Sequence, residues 1–266
     1  MGGVCYETGE TMRKVHVLLN KESVEEQKLV NCTAVVVDVF LATSTITTLL
    51  AHGIEPVYAV ENAQVAKEWA DTLQGPLLIL GESEGNPLDG FLYPDPTLIR
   101  KQDKPTQAII CSTNGTRAIQ KAKKAKSVFI SSLMNGHMVA QALHRENSDR
   151  SIVIIASGNN PTFSFEDLVG AGQVVSHLSK LGMYALTDAA LVAKMTYEQV
   201  KDGDFKDLQN VETARLLKEV GFDAAIHFVM DYVEQMDVVP ILDNGQIIAQ
   251  RKETIHECNE YKHFNK

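Results

Sequence analysis

Short apolar runs alternate with longer amphipathic stretches along most of the chain. The clearest run, residues 34–39, is almost continuously apolar and rich in β-branched side chains, as expected of a strand that is buried on both faces. Comparable runs predict strands at residues 12–19, 55–60, 77–80, 107–111, 128–131 and 151–156. Helical stretches are predicted between them at residues 21–28, 44–52 and 62–72. A further helix is predicted to begin at about residue 115, another to follow residues 132–137 and end at residue 144, and another to run from about residue 164 to residue 181. This alternation favours parallel strands with right-handed crossovers, and therefore a three-layer α/β/α fold with a mostly parallel or mixed sheet.

The pattern changes in the last third of the chain. From residue 186 it is mainly helical, with helices expected at residues 186–198 and 206–220. Residues 222–230 fit either a helix or a strand by their period, and we favour a helix. Residues 238–249 predict a hairpin whose turn is Asn244–Gly245. We expect a single domain over residues 12–250, with room for a C-terminal subdomain from about residue 186, and loose termini at 1–11 and 251–266.

The first candidate site follows the strand at 34–39. Asp38 stands at its end, and the hydroxyl residues Thr43, Ser44 and Thr45 begin the next helix. Parallel strands place their carboxyl ends at one edge of a sheet, where ligands bind, and the amides of a helix start can hold an anion. The same residues could equally be an ordinary helix-capping cluster, with Asp38 orienting the turn.

An acidic loop follows the strand at 77–80. Residues 81–96 are rich in glycine and carboxylates, including Glu82, and the stretch is long for a simple connection. Its carboxylates could hold a hard cation through oxygen. The alternative is a solvated Ω-loop whose acids face water.

Another strand end combines hydroxyl, amide and basic residues. Asn114 and Gly115 can supply a tight turn after the strand at 107–111, and Thr116 with the helix-start amides can cradle an anion. The guanidinium group of Arg117 could form bidentate hydrogen bonds with phosphate or sulfonate oxygens. Cys111 and Arg117 also have the C-x5-R spacing of thiolate phosphatases, which makes Cys111 a rival nucleophile.

Two acids begin the helix at about residue 164. Glu166 and Asp167 stand in its first turn, where the helix dipole favours carboxylates, so capping explains them as well as ligand binding does.

Net charge, apolar run length and cysteine spacing disfavour several classes of protein for this chain. The net charge of −9 disfavours a general nucleic-acid binder, and no run approaches the roughly 18 apolar residues of a membrane span. The cysteines, at positions 5, 32, 111 and 258, show neither a zinc spacing nor a disulfide framework. We therefore expect a cytoplasmic protein with reduced thiols and no nucleic-acid or membrane partner.

Several spaced motifs together resemble the 2-phosphosulfolactate phosphatase family from about Val15 to Pro240. They are Asp38-x4-Thr-Ser-Thr, Gly-Glu82-x-x-Gly, Gly90-Phe91, Thr113-Asn-Gly-Thr-Arg117, Ser132-Leu-x-Asn135, Phe163-Ser-Phe-Glu-Asp167 and Val238-Val-Pro240. The resemblance implies a magnesium-dependent hydrolase that converts 2-phosphosulfolactate to sulfolactate and phosphate, on a route to coenzyme M or a related sulfonate.

The resemblance to this family implies roles for the candidate residues. Asp38 is nucleophile or Mg²⁺ ligand, and the further ligand candidates are Glu82, Asp167 and Glu166. Phosphate or sulfonate would be held by Thr43, Ser44, Thr45, Asn114, Gly115, Thr116 and Arg117, with Arg117 also counted as catalytic. The expected partner is a small anionic phosphoester, and we expect a homo-oligomer. The sequence leaves open whether Asp38 or a water molecule attacks phosphorus.

Two positions depart from the family pattern. Leu41 stands where the opening motif usually has arginine, and Ser83 replaces the arginine of Gly-Glu-Arg. Neither side chain can reproduce the bidentate anion clamp of a guanidinium group. The departures support an alternative function, that of a non-catalytic or substrate-shifted relative that binds an anionic metabolite.

Overall fold

The computed structural model describes residues 12–99, 105–146 and 148–250. The predicted loose termini, 1–11 and 251–266, lie outside these ranges. The strands within them are β1 (Lys14–Leu18), β2 (Thr33–Val37), β3 (Val57–Val60), β4 (Leu77–Ser83), β5 (Asn86–Pro87), β6 (Gln107–Cys111), β7 (Ser127–Ser131), β8 (Ile152–Ala156), β9 (Ala185–Leu186), β10 (Pro240–Asp243) and β11 (Gln246–Ala249). The α-helices are α1 (Glu26–Leu29), α2 (Ala42–Ala51), α3 (Ala63–Ala70), α4 (Gly115–Ala122), α5 (Gly136–Arg145), α6 (Phe165–Leu181), α7 (Asp188–Asp202), α8 (Glu212–Glu219) and α9 (Asp223–Asp231).

The described strands form one mixed sheet in the order β5-β4-β6-β3-β11-β10-β7-β2-β8-β1-β9. Strands β4, β6 and β3 are parallel, as are β7, β2, β8, β1 and β9. The antiparallel hairpin β10–β11 lies between these two groups and pairs with β7 and β3. The parallel arrangement predicted from the sequence is confirmed, but it is divided by a hairpin from the end of the chain.

Strand β2 lies inside its parallel group, between β7 and β8, and its burial fits that position. All five residues of Thr33–Val37 are buried, and since alternate side chains point to opposite faces, the sheet is covered on both sides. This agrees with the three-layer α/β/α class.

Several element boundaries differ from the sequence prediction. The helix expected at 21–28 is a 3-10 turn, Lys21–Ser23, followed by the single turn α1. The stretch 206–220 likewise divides into a 3-10 segment, Lys206–Asn210, and α8. Short segments such as these form too few backbone hydrogen bonds for periodicity to define them, and their neighbours decide their shape.

The acidic loop is also more ordered than predicted. Strand β4 continues through Glu82 to Ser83, turns at Glu84–Gly85, and pairs back with β5. Positive φ angles of 52° and 79° at the two turn residues allow this tight reversal. The first part of the predicted loop is therefore a small hairpin that fixes the position of Glu82.

Candidate active site

Asp38 follows β2 directly and is held by a closed turn. The hydroxyl of Thr43 donates to the carbonyl oxygen of Asp38 at 2.6 Å and accepts the amide hydrogen of Asp38 at 3.0 Å. The amide of Thr43 also donates to the same carbonyl at 3.0 Å. The strand therefore passes into α2 through a rigid turn, and only 6% of Asp38 is exposed.

The loop after β6 approaches Asp38 very closely. A Cβ atom on Gly115 would overlap the Asp38 carboxylate and lie 2.6 Å from the Cβ of Ala42. Only glycine fits at this position. The first residue of α4 and the acid after β2 are thus brought together, although their strands lie in different parallel groups.

These two strand ends open onto a cavity of about 520 Å³. Asp38 and Glu82 both line it, together with Ser112, Thr113 and Asn114 at the start of α4. The remaining lining residues are Phe40, Leu41, Ala42, Glu84, Gly85, Asn86, Tyr93, Pro94, Asn159, Asn160, Thr213, Leu216, Leu217, Glu219 and Val220. One acid from each parallel group of strands therefore shares a single cavity with the polar residues at the start of α4.

Glu82 is fixed mainly by Thr113, which follows the neighbouring strand β6. Its Oε1 accepts the amide of Thr113 at 2.5 Å, and its Oε2 accepts the Thr113 hydroxyl at 2.9 Å and the amide of Gly85 at 2.8 Å. Each carboxylate oxygen has two acceptor sites, so these three contacts orient the side chain and leave one site, on Oε1, for a cation.

The surroundings of Asp38 favour its neutral form. Burial, followed by the nearby charges of Glu82 and Glu166, raises the pKa of Asp38 to about 7, against the opposing effects of the Ala42 amide and Lys21. Like charges held together in a cavity are relieved by a bound cation or by protonation. A titratable group perturbed in this way within a cleft is typical of a functional site.

Asp167 does not line this cavity. Its Oδ1 accepts the amide of Val39 at 2.8 Å, and its Oδ2 accepts the amide of Gly158 at 3.0 Å. Burial and the charges of Asp38 and Glu166 raise the pKa of Asp167. The predicted metal ligand is instead placed as a brace between the loops after β2 and β8.

Glu166 also lies behind the cavity wall. It is buried, and burial raises its pKa, whereas hydrogen bonds from Thr213, its own backbone and Ser164 act in the opposite direction. The charges of Glu166 and Asp167 therefore both act on Asp38, but neither side chain lines the cavity in which a ligand would bind.

The hydroxyl residues predicted to bind an anion are used to close turns. Thr43 bonds to Asp38, the hydroxyl of Ser44 donates to Val39 O at 2.8 Å, and that of Thr45 donates to Pro94 O at 2.7 Å. None of the three lines the cavity. Each hydroxyl hydrogen already has a backbone acceptor, so the structure gives these residues a role in closing turns, and their contact with substrate stays a prediction.

Thr116 repeats this arrangement after β6. Its hydroxyl donates to Ser112 O at 2.9 Å and accepts the amide of Ser112 at 3.0 Å, while its own amide donates to the Ser112 hydroxyl. Thr116 and Gly115 therefore shape the turn, and Asn114 is the predicted binding residue in this loop that reaches the cavity.

Arg117 points elsewhere. It is exposed and lines a second cleft, of about 380 Å³, with Glu26, Glu61, Asn62, Gln120 and Lys121. The structure does not bring Arg117 together with Asp38 and Glu82. Its side chain lines the second cleft and not the acidic cavity, so the catalytic and substrate-binding roles expected from the sequence stay predictions that this geometry does not support.

Cys111 is unsuited to act as a thiolate. Its side chain is buried, and a Cβ on Gly81 would lie only 2.6 Å from its Sγ. Burial and the charge of Glu82 raise the pKa of Cys111 to about 11, so the thiol stays protonated at neutral pH. The C-x5-R interpretation is therefore not supported.

Lys21 is a cation near the site that the sequence reasoning missed. It is only 2% exposed, its Nζ donates to Asn114 Oδ1 at 2.8 Å, and it pairs with Glu22 at 3.1 Å. Its position three residues after β1 is the available sequence signal, because β1 ends at the same edge of the sheet as β2.

The donor set suits Mg²⁺ bound partly by the protein. Within the described residues, no three His, Cys, Asp or Glu side chains are grouped so as to hold a metal alone. Mg²⁺ is commonly held by one or two carboxylates together with water and substrate phosphate oxygens. Asp38 and Glu82, repelling each other in one cavity, fit that mode of binding.

Comparisons with known proteins agree with this architecture. The sequence model of the family described as 2-phosphosulpholactate phosphatase matches residues 18–245. A probable 2-phosphosulfolactate phosphatase of Clostridium perfringens is 32% identical over 239 residues, covering 88% of this chain and 95% of the relative. The protein of the same name from Clostridium acetobutylicum is 31% identical over 246 residues, covering 88% and 100%.

The part of the chain that the structure describes contains no helix both long enough and apolar enough to cross a bilayer.

The family match extends over most of the chain and includes every strand end that forms the acidic cavity. The chain therefore belongs to the 2-phosphosulfolactate phosphatase family of hydrolases.

Proposed function

We propose that this protein is a Mg²⁺-dependent phosphatase that hydrolyses 2-phosphosulfolactate, or a closely related small phosphoester, to the free hydroxy acid and phosphate. The observation that carries the proposal is the pairing of Asp38 and Glu82 across one cavity, beside the first residues of α4. Family membership supports the reaction class.

Asp38 and Glu82 would hold the metal. A bound Mg²⁺ would neutralise charge on the phosphoryl group and help to orient it. The turn closed by Thr43 fixes Asp38, and the contacts with Thr113 and Gly85 fix Glu82. Little side-chain reorganisation would then be needed when substrate binds.

The start of α4 would receive the phosphoryl group. Ser112, Thr113 and Asn114 line the cavity where the positive end of the helix dipole points. Lys21 adds a positive charge behind Asn114. Phosphate oxygens would thus lie between the carboxylate-held cation and a helix start, with Asp38 close enough to act on phosphorus or on the group that attacks it.

A second function, binding of an anionic metabolite without hydrolysis, is favoured by one observation. Leu41, at the position where the family pattern has arginine, lines the cavity. Loss of that anion clamp could remove catalysis while leaving a binding site. Phosphate release decides between the two functions.

The test is phosphate release from 2-phosphosulfolactate with Mg²⁺ and with chelator. We expect turnover that chelation abolishes, and a loss of at least about 100-fold in kcat/KM for Asp38→Asn, since electrostatic groups at reacting phosphoryl centres are worth that much. Calorimetric titration should show weaker Mg²⁺ binding to both Asp38→Asn and Glu82→Gln.

Asp89→Asn is the matched control, because Asp89 is exposed in the same acidic loop and does not line the cavity. Its turnover and Mg²⁺ affinity should equal those of the wild type. Turnover that persists in chelator would refute metal dependence. Absence of turnover on any phosphoester, with metabolite binding retained, would support the binding function instead.

Cellular context belongs to the same proposal. The described cysteines, Cys32 and Cys111, are free thiols, which supports a reducing compartment such as the cytoplasm. A role in a route to coenzyme M, and assembly as a homo-oligomer, stay predictions. Sedimentation equilibrium of the purified protein would test the assembly.

A further inference from the structure

The cavity lining combines two unlike sets of side chains. One set consists of four carboxylates, Asp38, Glu82, Glu84 and Glu219, and the other is the apolar set Phe40, Leu41, Leu216, Leu217 and Val220. Among the cavity-lining residues that the structure describes, none is lysine or arginine.

Helix α8 shows that the apolar set is a built face. Thr213, Leu216, Leu217 and Val220 line the cavity, and they are spaced i, i+3, i+4 and i+7, which is one side of a helix. The basic residues of the same helix, Arg215 and Lys218, lie outside the lining, and Lys218 bonds to Gln209 O at 2.9 Å. The helix therefore presents its apolar side, and not its basic side, to the ligand.

Two apolar side chains of this face are exposed within the cavity. Leu216 is 47% exposed and Val220 is 45% exposed, and both meet the cavity. Covering such side chains with an apolar group is favourable, by roughly 25 cal/mol for each Å² removed from water. A ligand with an apolar part would gain this energy, whereas a charged group would lose hydration against the same surface.

The described cavity lining offers few positively charged partners for the anionic groups of 2-phosphosulfolactate. Its phosphate can be met by the metal, the α4 start and the nearby Lys21. The rest of the lining offers its sulfonate the neutral donors Asn86, Asn159, Asn160 and Thr213, but no cation among the described residues. The apolar Leu41, Leu216 and Val220 and the carboxylates of Glu84 and Glu219 lie in the same cavity. Desolvation and like-charge repulsion oppose placing the sulfonate against these side chains.

We infer that the preferred substrate is a phosphate monoester whose organic part is apolar, with its phosphoryl group at Asp38 and Glu82 and its apolar group on the α8 face. This inference rests on the proposed phosphatase function and specifies its substrate class. The volume of about 520 Å³ also fits a substrate larger than a three-carbon acid, since pockets for drug-sized ligands span roughly 300–1,000 Å³.

The test compares two probes that differ in one group. They are 2-phosphosulfolactate and the 2-phosphate of 3-phenyllactate, in which phenyl replaces the sulfonate. With Mg²⁺, we expect kcat/KM for the phenyl probe to exceed that for the sulfonated probe by at least about tenfold, the effect of burying one aromatic side chain. Leu216→Lys should reverse or abolish this preference, and Val220→Lys should act in the same direction.

Leu191→Lys is the matched control. Leu191 is 46% exposed on α7, nearly the same as Leu216, and does not line the cavity. Its preference between the two probes should equal that of the wild type. An equal effect of Leu191→Lys and Leu216→Lys would overturn the assignment of the α8 face.

The outcomes separate this inference from the proposed function. Faster hydrolysis of the sulfonated probe overturns the inference and leaves the phosphatase function in place. If neither probe is hydrolysed, the proposed phosphatase function fails for these two phosphoesters, and calorimetric binding still decides the ligand class. Tighter binding of the phenyl probe, lost in Leu216→Lys, supports the inference, and tighter binding of the sulfonated probe overturns it.

Discussion

At the scale of single residues, Gly115 controls how closely α4 approaches Asp38. The space that a side chain would need is filled by the Asp38 carboxylate and by Ala42. Any larger residue must push the start of α4 away from Asp38, so glycine at position 115 is what allows this close approach.

We expect Gly115→Ala to lower kcat/KM by about tenfold or more and to destabilise the protein by about 1–3 kcal/mol, the usual cost of overpacking. The physical cause is the overlap of the new Cβ with Asp38. Phosphate-release kinetics and thermal unfolding measure the two effects.

Gly203→Ala provides the comparison. The nearest atom to a Cβ there is Val200 O at 3.5 Å, an ordinary contact distance, and the residue has a negative φ at the end of α7. It should change neither activity nor unfolding temperature measurably. Wild-type activity in Gly115→Ala would contradict the close approach that the structure shows.

At the scale of elements, the start of α6 joins two loops at the carboxyl edge of the sheet. Asp167 accepts one amide from the loop after β2 and one from the loop after β8. A buried carboxylate with two backbone donors holds those loops in register. Asp38 is one residue before the first of these donors, so this brace also supports the active site.

We expect Asp167→Ala to lower the free energy of unfolding by about 3 kcal/mol, because two buried amides lose their acceptor and each such loss costs roughly 1–3 kcal/mol. Urea denaturation measures this change. Asp89→Ala, a change at an exposed acid, should leave the unfolding curve in place. Unchanged stability combined with loss of Mg²⁺ binding would instead restore Asp167 as a metal ligand.

At the scale of the whole molecule, a polar cluster ties the segment before the central hairpin to two helices. Glu234 Oε1 accepts hydrogen bonds from Tyr197 at 2.5 Å and His177 at 2.7 Å, and Lys201 Nζ lies 3.3 Å away. The donors belong to α6 and α7, whereas Glu234 precedes β10. The cluster therefore secures the chain that enters the middle of the sheet.

This cluster should make stability depend on acid. Burial alone would raise the pKa of Glu234, but the bonds from Tyr197 and His177 and the charges of His177 and Lys201 lower it to about 2. A depressed carboxyl pKa stabilises the fold above the ordinary value of 4.5, and that stabilisation is lost as the pH falls through 4.5 towards 2.

We expect Glu234→Gln to be less stable than the wild type by about 2 kcal/mol at pH 6, because hydrogen bonds to a charged group become neutral ones. The difference should shrink as the pH is lowered from 5 to 3. Urea unfolding at each pH gives both curves, with the exposed Glu219→Gln as control. A difference that does not change with pH would show that Glu234 has no depressed pKa.

The fold class was predictable from local patterns. Apolar β-branched runs such as 34–39 must be buried, and their alternation with amphipathic helices restricts the topology to parallel crossovers. The same logic located Asp38 and Glu82 at strand ends, both of which line the cavity. It could not locate the β10–β11 hairpin within the sheet, because strand order depends on contacts between distant segments.

The roles of polar residues at those strand ends required the tertiary structure. Sequence alone determined that hydroxyls and acids follow the strands, since residue order and hydrophobic period are local properties. Whether a group closes a turn, as Thr43 does, or faces a cavity, as Asp38 does, depends on which acceptors and donors the fold brings within hydrogen-bond distance. Only the tertiary structure could place Lys21 behind Asn114 and turn the apolar side of α8 towards the acids, because these contacts join segments far apart in the chain.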